Sequence, residues 1–277
     1  MTKRLYMLAL LFVPLFLFTQ ETNYQRLNLV REKNKLKLES TFSYYMQNIS
    51  GFDRYTFLPQ LGIEYTFRNH MVRSTLPYTI SLLNNEDARR QVFYGFGDLT
   101  LHYEYLKQIR NLNLFFGGFW GIPLSETSEY KTREDILATG TGRHNLGLNV
   151  GITGIKDPVV WNAALKYTFG LPKEERFFWS FEPANIQASA GITTMFNDTF
   201  GFSFNLFQTV RFPLIKDGIA KIEELRTSTI FRPETLILSE DWYVRISLDM
   251  YGYPLNMPFI VTLTYGYSFE FPKKKNP

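Results

Sequence analysis

The sequence predicts an all-β fold: a transmembrane antiparallel up-and-down β-barrel of about 12 strands, preceded by a cleavable signal peptide. Three observations predict it: a long alternating segment near the end of the chain, connections that are short and long in turn, and aromatic residues at the ends of the alternating segments. The composition agrees, since 17% of the 277 residues are aromatic and the mean hydropathy is slightly negative. A barrel has such an average because its lumen-facing residues dilute its lipid-facing ones.

The first residues are typical of a secretory signal. Lys3 and Arg4 precede an apolar run of about fourteen residues, 5–18, and the chain turns polar at Thr19. A membrane-spanning helix is the alternative, but the run is short of the ~20 residues that a span needs. The expected limits are a signal peptide over 1–21, a periplasmic segment over 22–35, the barrel over 36–271 and a basic tail over 272–277. The chain contains no cysteine, which excludes disulfides, thiolate catalysis and cysteine metal sites.

Segments that alternate apolar and polar residues fill the first half of the chain. A strand sends successive side chains to opposite faces, so each segment predicts a strand with one apolar face. The first six predicted strands lie at 36–46, 57–68, 72–82, 96–105, 112–122 and 146–153. Pro77 lies inside the third, where its missing backbone donor predicts a bulge or a break. A polar loop is expected over 47–56 and a charged loop over 84–91.

The second half continues the same pattern. Six further strands are predicted at 159–169, 185–196, 200–208, 227–238, 242–250 and 259–271. Long loops are expected over 123–143 and 170–184. A charged insertion over 211–226 separates two of the strands, and a short helix is one possibility within it.

The last predicted strand carries the clearest alternation. From Phe259 to Phe271 every second residue is apolar or aromatic, and nearly all the residues between them are small or polar. The segment exceeds the five or six residues usual in a globular strand and suits a strand that crosses a bilayer at a tilt. It is expected to close the barrel against the first strand and to engage the barrel-assembly machinery. Its closing residues are Tyr265, Tyr267, Phe269 and Phe271.

The connections between the predicted strands alternate in length. Short turns are expected near residues 69, 107–111, 156, 197 and 239, and the longer connections follow the odd-numbered strands. Outer-membrane barrels have short periplasmic turns, longer outside loops and an even strand number, so both ends of the barrel are expected in the periplasm. Aromatic pairs at strand ends, such as Tyr65 with Phe67, predict girdles at the lipid–water boundary. A soluble fold with an aromatic-rich core is the alternative, but it gives no reason for the alternation.

Charged residues of mixed sign fall on the polar faces of the predicted strands. We expect them to face the lumen, because an Arg or Lys near the bilayer midplane costs about 2–4 kcal/mol. The lumen-lining candidates are Glu64, Arg68, Arg73, Asp98, His102, Glu104, Lys166, Arg245 and Asp249. Asp98, His102 and Glu104 share one strand face, where they form either a ligand or acid–base site or, as we favour, a polar network with Lys166, Arg245 or Arg73. No Ser–His pair is recognisable, and the three histidines lack the local spacing of a metal site.

A glycine-rich group opens the fourth predicted strand. Residues 94–105 read YGFGDLTLHYEY, and because no helix follows the glycines, a bend or bulge at the barrel rim is expected rather than a phosphate loop. A glycine-rich strand ending in Trp120-Gly121-Ile122-Pro123 and the run Ala138-Thr139-Gly140-Thr141-Gly142 follow. This order resembles the phenol-degradation MetA-pathway family of outer-membrane barrels over roughly residues 70–170. The resemblance implies a transporter, loosely similar to aromatic-hydrocarbon and fatty-acid channels, that passes small hydrophobic compounds.

These patterns predict an integral protein of the outer membrane of a diderm bacterium that performs no chemistry. We expect passive transport of small, hydrophobic molecules, in contact with outer-membrane lipid and without a cofactor or a metal. The alternative is a closed barrel that acts as an adhesin or a structural protein through its loops at 123–143 and 210–226. The net charge of +4 is mild and scattered along the chain, so a nucleic-acid partner is not expected.

Overall fold

The computed structural model describes most of the predicted barrel. The described residues are 35–49, 52–85, 90–124, 142–156, 158–175, 178–181, 184–212, 215–216, 219–220, 226–253 and 259–270. The predicted signal peptide, the basic tail and Phe271 lie outside them, as do the periplasmic segment before Lys35 and most of the loop over 123–143. In the described part of the chain, no helix is long and apolar enough to cross a membrane.

The strands divide between a barrel and its long connections. The barrel contains β1 (Lys35–Ile49), β2 (Phe52–Phe67), β3 (His70–Asn85), β4 (Arg90–Phe96), β5 (Leu99–Ile109), β6 (Leu112–Ile122), β7 (Asn145–Lys156), β8 (Val159–Gly170), β11 (Asn185–Met195), β12 (Phe200–Arg211), β15 (Arg226–Leu238), β16 (Trp242–Tyr253) and β17 (Ile260–Glu270). The long connections contain β9 (Lys173–Glu175), β10 (Phe178–Phe181), β13 (Ile215–Lys216) and β14 (Ile219–Ala220), which form a second, four-stranded sheet.

The barrel closes through its first and last strands. Every barrel strand pairs antiparallel with its neighbours, and β17 pairs with β1 in a register that sets Phe42 opposite Leu263 and Leu36 opposite Phe269. Because β4 and β5 both pair with β3, they count as one barrel strand, and the barrel has 12 strands. The predicted fold class and the predicted closure by the final strand are confirmed.

Side-chain exposure is inverted relative to a soluble protein. On the outer face, Leu61 is 63% and Leu148 is 64% exposed, whereas the charged side chains of Lys37 and Glu64 inside the barrel are 5% and 7% exposed. Charged residues in soluble proteins are almost never so buried unless they are paired. A barrel in lipid requires this arrangement, because its apolar face meets hydrocarbon and its polar face lines the lumen.

Aromatic rings meet on the outer face at the end of the barrel that carries the short turns. The rings of Tyr65, Phe67, His70, Tyr105 and Phe116 contact one another in that order, with successive centroids 5.1–5.7 Å apart. The turns beneath them are tight: Arg68 and Arg110 each begin a two-residue turn with φ of 52° and 53°. Rings of this amphipathic kind favour the lipid–water boundary, so the contacts fit the predicted girdle.

The backbone is interrupted where the sequence predicts it. β3 pairs with β4 from Tyr78 onward and with β5 up to Thr75, and the two registers differ by one residue. The extra residue lies at Gly97-Asp98, between β4 and β5, and the Gly97 N–H donates to the Pro77 carbonyl oxygen at 2.8 Å. Such a bulge bends the strand locally, so the expected break at Pro77 and the expected bend at Gly97 are one feature.

Two local predictions are wrong, and a third lies partly outside the described residues. The loop expected over 47–56 is largely strand, because β1 and β2 continue their pairing up to Ile49 and Phe52. In the insertion over 211–226, for which a short helix was one possibility, residues 215–216 and 219–220 form β13 and β14, β13 pairs with β10, and most of the other residues lie outside the described ones. Isolated short helices are marginal in water, and pairing with another loop satisfies the backbone instead. Arg68 lies exposed in a turn and does not face the lumen.

Candidate functional site

Glu39 is the centre of a charged cluster inside the barrel at β1. Its carboxylate lies 3.3 Å from Lys37 Nζ and 2.5 Å from an Arg73 nitrogen, and it accepts a hydrogen bond from the Tyr243 hydroxyl. Lys37 Nζ also lies 4.4 Å from the centroid of the Tyr243 ring. Glu39 and Lys37 are 7% and 5% exposed, so side chains fill the lumen beside β1. We call Lys37, Glu39, Arg73 and Tyr243 the Glu39 cluster.

The Glu39 cluster depends on a glycine that the sequence analysis did not single out. The Tyr243 ring lies against Gly266 of β17, where a Cβ would overlap the ring. Of the cluster, only Arg73 was a predicted lumen candidate. Lys37 and Glu39 were recognisable as polar-face residues of the first predicted strand, but nothing in that pattern indicated that they pair with β3 and β16.

A second group of charges lies on β15 and β16. Arg232 donates to both oxygens of Asp249, with Nη2 2.8 Å from Oδ2, and its guanidinium lies 4.7 Å from the Phe207 ring centroid. Arg245 Nε lies 3.8 Å from Glu234 Oε2. Asp249 and Arg245 were predicted lumen candidates, whereas their partners Arg232 and Glu234 were missed. Arg232 and Glu234 lie at alternate positions of the predicted strand over 227–238, and this position on one face of the strand could have identified them as lumen-facing.

His102 and Glu104 of β5 contact Asn149 of β7 across β6, whereas Asp98 lies in the bulge before β5 and lines a cavity described below. Asn149 Nδ2 donates to Glu104 Oε1 at 2.8 Å, and His102 Nε2 lies 3.4 Å from the same oxygen. Asn149 was not predicted as a partner. Arg73 and Arg245 contact Glu39 and Glu234, and Lys166 Nζ lies over the Phe119 ring, while the predicted polar network of these residues with Asp98, His102 and Glu104 stays a prediction. Glu64 lies opposite Arg73 in the β2–β3 register.

Two cavities whose lining residues the structure describes open inside the barrel along β8 and β11, and one of them extends to Arg245, 5.9 Å from the Tyr243 ring of the Glu39 cluster. β1 and β8 lie on opposite sides of the ring, because equal numbers of strands separate them in either direction. The loop-side cavity, of about 330 Å³, is lined by Asp98, Thr100, Phe119, Gly121, Asn145, Lys166, Thr168, Gly170, Asn185 and Gln187. The turn-side cavity, of about 270 Å³, is lined by Asn162, Ser189, Thr193, Ser203, Asn205, Phe207, Arg232, Glu234, Leu236 and Arg245.

The two cavities adjoin along the wall formed by β8 and β11. In their register Lys166 pairs with Gln187 at the loop-side cavity, and Asn162 pairs with Gly191 at the turn-side cavity. Ala164 and Ser189 lie opposite each other between these levels. Only small side chains therefore separate the two cavities along this wall.

Apolar side chains cluster inside the barrel at the end with the short turns, beneath the turn-side cavity. Met195, Leu238 and Tyr243 are in contact and are 2%, 3% and 7% exposed. They lie at the ends of β11 and β15 and the start of β16, next to short turns. We call these three residues the apolar floor. The sequence analysis did not foresee it, because it assigned only polar residues to the lumen.

The histidines lie apart in the structure as well. His70 stacks in the outer aromatic ring chain. The Trp120 indole N–H donates a 3.1 Å hydrogen bond to His144 Nδ1 at the outer face, and His102 alone of the three faces the lumen. Among the described residues, no group of three or more His, Asp or Glu could hold a metal ion.

The closed barrel, its apolar outer face and its charged lumen define an outer-membrane β-barrel. An outer membrane channel from Pseudomonas putida F1 has the same fold, with a TM-score of 0.73, 14% identity, and coverage of 87% of this chain and 97% of that one. The beta domain of the Bordetella autotransporter BrkA has a TM-score of 0.51 and 10% identity, covering 86% and 100%. The Ralstonia pickettii toluene transporter TbuX is more distant, with a TM-score of 0.45 and 10% identity, covering 88% and 91%.

Similarity at these identities shows the fold alone. No protein-family model matches the chain, and no curated protein sequence matches it. The predicted outer-membrane barrel is confirmed, while membership of the MetA-pathway family stays a prediction.

Proposed function

We propose that this protein is a passive outer-membrane channel for small solutes, in which the route follows the β8–β11 wall. The observation that carries the proposal is the succession of two cavities along the wall formed by β8 and β11. Side chains that line such a route determine which solutes pass. The barrel would perform no chemistry, and β17 would be the strand through which the assembly machinery inserts it.

The lining of both cavities favours solutes that carry hydrogen-bonding groups. Apart from Phe119, Phe207, Leu236 and the glycines, every side chain that lines the two cavities is polar or charged. A purely hydrophobic solute would leave these groups without partners, which costs free energy. Hydrophobic solutes, which the family resemblance implies, are the competing outcome. Comparing the flux of benzyl alcohol with that of toluene in vesicles separates the two classes.

Replacing Leu238 by alanine is expected to raise conductance. Leu238 is one of the three side chains of the apolar floor, and removing it leaves a gap between Met195 and Tyr243. Apolar constrictions gate pores by excluding water, so a wider floor should conduct more often. Planar-bilayer recordings check this, with Leu148→Ala on the lipid face as the control. Equal opening frequencies in wild type and Leu238→Ala would contradict a gating floor.

Replacing Ala164 by arginine is expected to block the proposed route. The long side chain would enter the lumen between the two cavities, opposite Ser189. We expect single-channel conductance at least about tenfold lower, measured in the Leu238→Ala background so that the floor is not limiting. Unchanged conductance in a folded, inserted Ala164→Arg barrel would show that solutes do not follow this wall.

A binding platform outside the barrel is the second candidate function. One observation favours it: β10 and β13 come from different long connections and pair with each other, so these connections form a small sheet. A barrel that stays silent in every variant, yet loses binding to host matrix after deletion of residues 173–181, which contain β9 and β10, would favour this function over a channel.

A further inference from the structure

Lys166 differs from four other basic residues inside the barrel in its contacts. Lys37, Arg73, Arg232 and Arg245 each lie within 4.0 Å of a carboxylate oxygen. Lys166 makes no ion pair and no hydrogen bond with any residue that the structure describes. It is half-buried and lines the loop-side cavity, so an ammonium group without an ion pair to any described residue faces that space.

The position of this cation is fixed by an aromatic ring. Lys166 Nζ lies 4.2 Å from the centroid of Phe119, within the range of a cation–π contact. Phe119 lies in turn against Gly147 of β7, where a Cβ would overlap the ring. Residues of three neighbouring strands are thus in contact. Gly147 of β7 leaves space for the Phe119 ring of β6, and that ring lies against the Lys166 ammonium group of β8.

The other groups around the cavity complement a ligand that carries both a carboxylate and a hydrogen-bond donor. Asn145, Asn185 and Gln187 line the cavity with amide groups that can donate to an anionic oxygen beside Lys166. Asp98 lines the same cavity, and its carboxylate disfavours a second negative charge and accepts hydrogen bonds. A volume of about 330 Å³ lies at the lower end of small-molecule sites.

We propose that the loop-side cavity binds a small monocarboxylate that also carries a hydroxyl or ammonium donor, that is, an α-hydroxy or α-amino acid. The ligand carboxylate would contact Lys166, and its donor would face Asp98. The proposal deepens the channel function proposed above, because it makes this cavity the selective part of the route.

The test compares four ligands of similar size on the refolded, inserted protein by isothermal titration calorimetry. L-lactate and L-alanine carry both groups, propionate lacks the donor, and lactamide lacks the charge. We expect lactate or alanine to bind at least about tenfold more tightly than propionate and lactamide. Lys166→Gln should weaken the tighter ligand at least about tenfold, whereas Lys156→Gln at the exposed end of β7 should not change it.

Each outcome decides the proposal. Equal affinities for lactate and lactamide, or an unchanged affinity in Lys166→Gln, would overturn it, as would no binding of lactate and alanine by the wild type. Lys166→Met, which keeps the stem over Phe119, replaces Lys166→Gln if that variant does not fold. A barrel that conducts without binding lactate or alanine retains the channel function and loses this site. A silent barrel that binds them loses the channel function and retains the site.

Discussion

Replacing Glu39 by alanine is expected to lower the free energy of unfolding of the barrel by about 3–5 kcal/mol. Glu39 is the shared acceptor of Lys37, Arg73 and Tyr243, and Lys37 is only 5% exposed. Without the carboxylate, a buried ammonium group keeps its desolvation cost and loses its counter-charge. Urea unfolding of the refolded protein in lipid vesicles, followed by tryptophan fluorescence, measures the difference.

Two comparisons separate this effect from the simple loss of a negative charge. Glu240→Ala removes a carboxylate from an exposed turn and is expected to change stability by about 0.5 kcal/mol or less. Arg73→Ala combined with Glu39→Ala should cost less than the sum of the two single changes, because both remove the same contact. A cost below about 1 kcal/mol for Glu39→Ala would mean that water reaches the cluster and that the lumen is open beside β1.

The barrel was predictable from sequence because its rules are local. Alternation with a period of two is visible within a single strand, as in β17, and a turn such as Arg110-Asn111 is defined by its immediate neighbours. The register between β1 and β17 then follows, since a shift by one residue would place the apolar face of either strand in the lumen.

Contacts between side chains inside the lumen were not predictable, because they join residues of strands that are far apart in the sequence. Glu39 and Tyr243 lie at opposite ends of the chain and meet only when β1 and β17 pair and bring β16 alongside. Asn149 reaches Glu104 because β6, which lies between their strands, carries small residues, including Gly117, at that level. A polar-face pattern identifies such residues as lumen-facing but leaves their partners open.

The loops show a different reason for failure. The charged insertion over 211–226 suggested a short helix as one possibility, whereas its described residues Ile215 and Lys216 pair with Phe181 and Ser180 of another connection. Charge indicates that a segment is solvated, but it does not choose between helix and strand. The strand conformation of Ile215 and Lys216 depends on pairing with Phe181 and Ser180, which lie more than thirty residues away. A local sequence pattern contains no information on such a partner.

Replacing Leu165 by arginine is expected to reduce insertion of the barrel strongly. Leu165 lies at the middle of β8 on the outer face, where it is 48% exposed. A charged side chain at the bilayer midplane of a barrel costs about 2–4 kcal/mol. The fraction of protein that resists urea extraction from vesicles and shows heat-modifiable mobility measures the loss, and Leu165→Met, which keeps an apolar side chain, should behave as wild type.

The same substitution at the preceding residue should fail in a different way. Ala164 faces the lumen, so Ala164→Arg should insert and fold but conduct poorly, whereas Leu165→Arg should not insert. A soluble sandwich makes the opposite prediction: arginine at exposed Leu165 would be solvated, and arginine at Ala164 would disrupt a packed core. If Leu165→Arg inserts and Ala164→Arg does not fold, the assignment of Leu165 to the lipid face and of Ala164 to the lumen face of β8 would be reversed. The two adjacent residues thus test, with one side chain, both the membrane-facing surface and the proposed route.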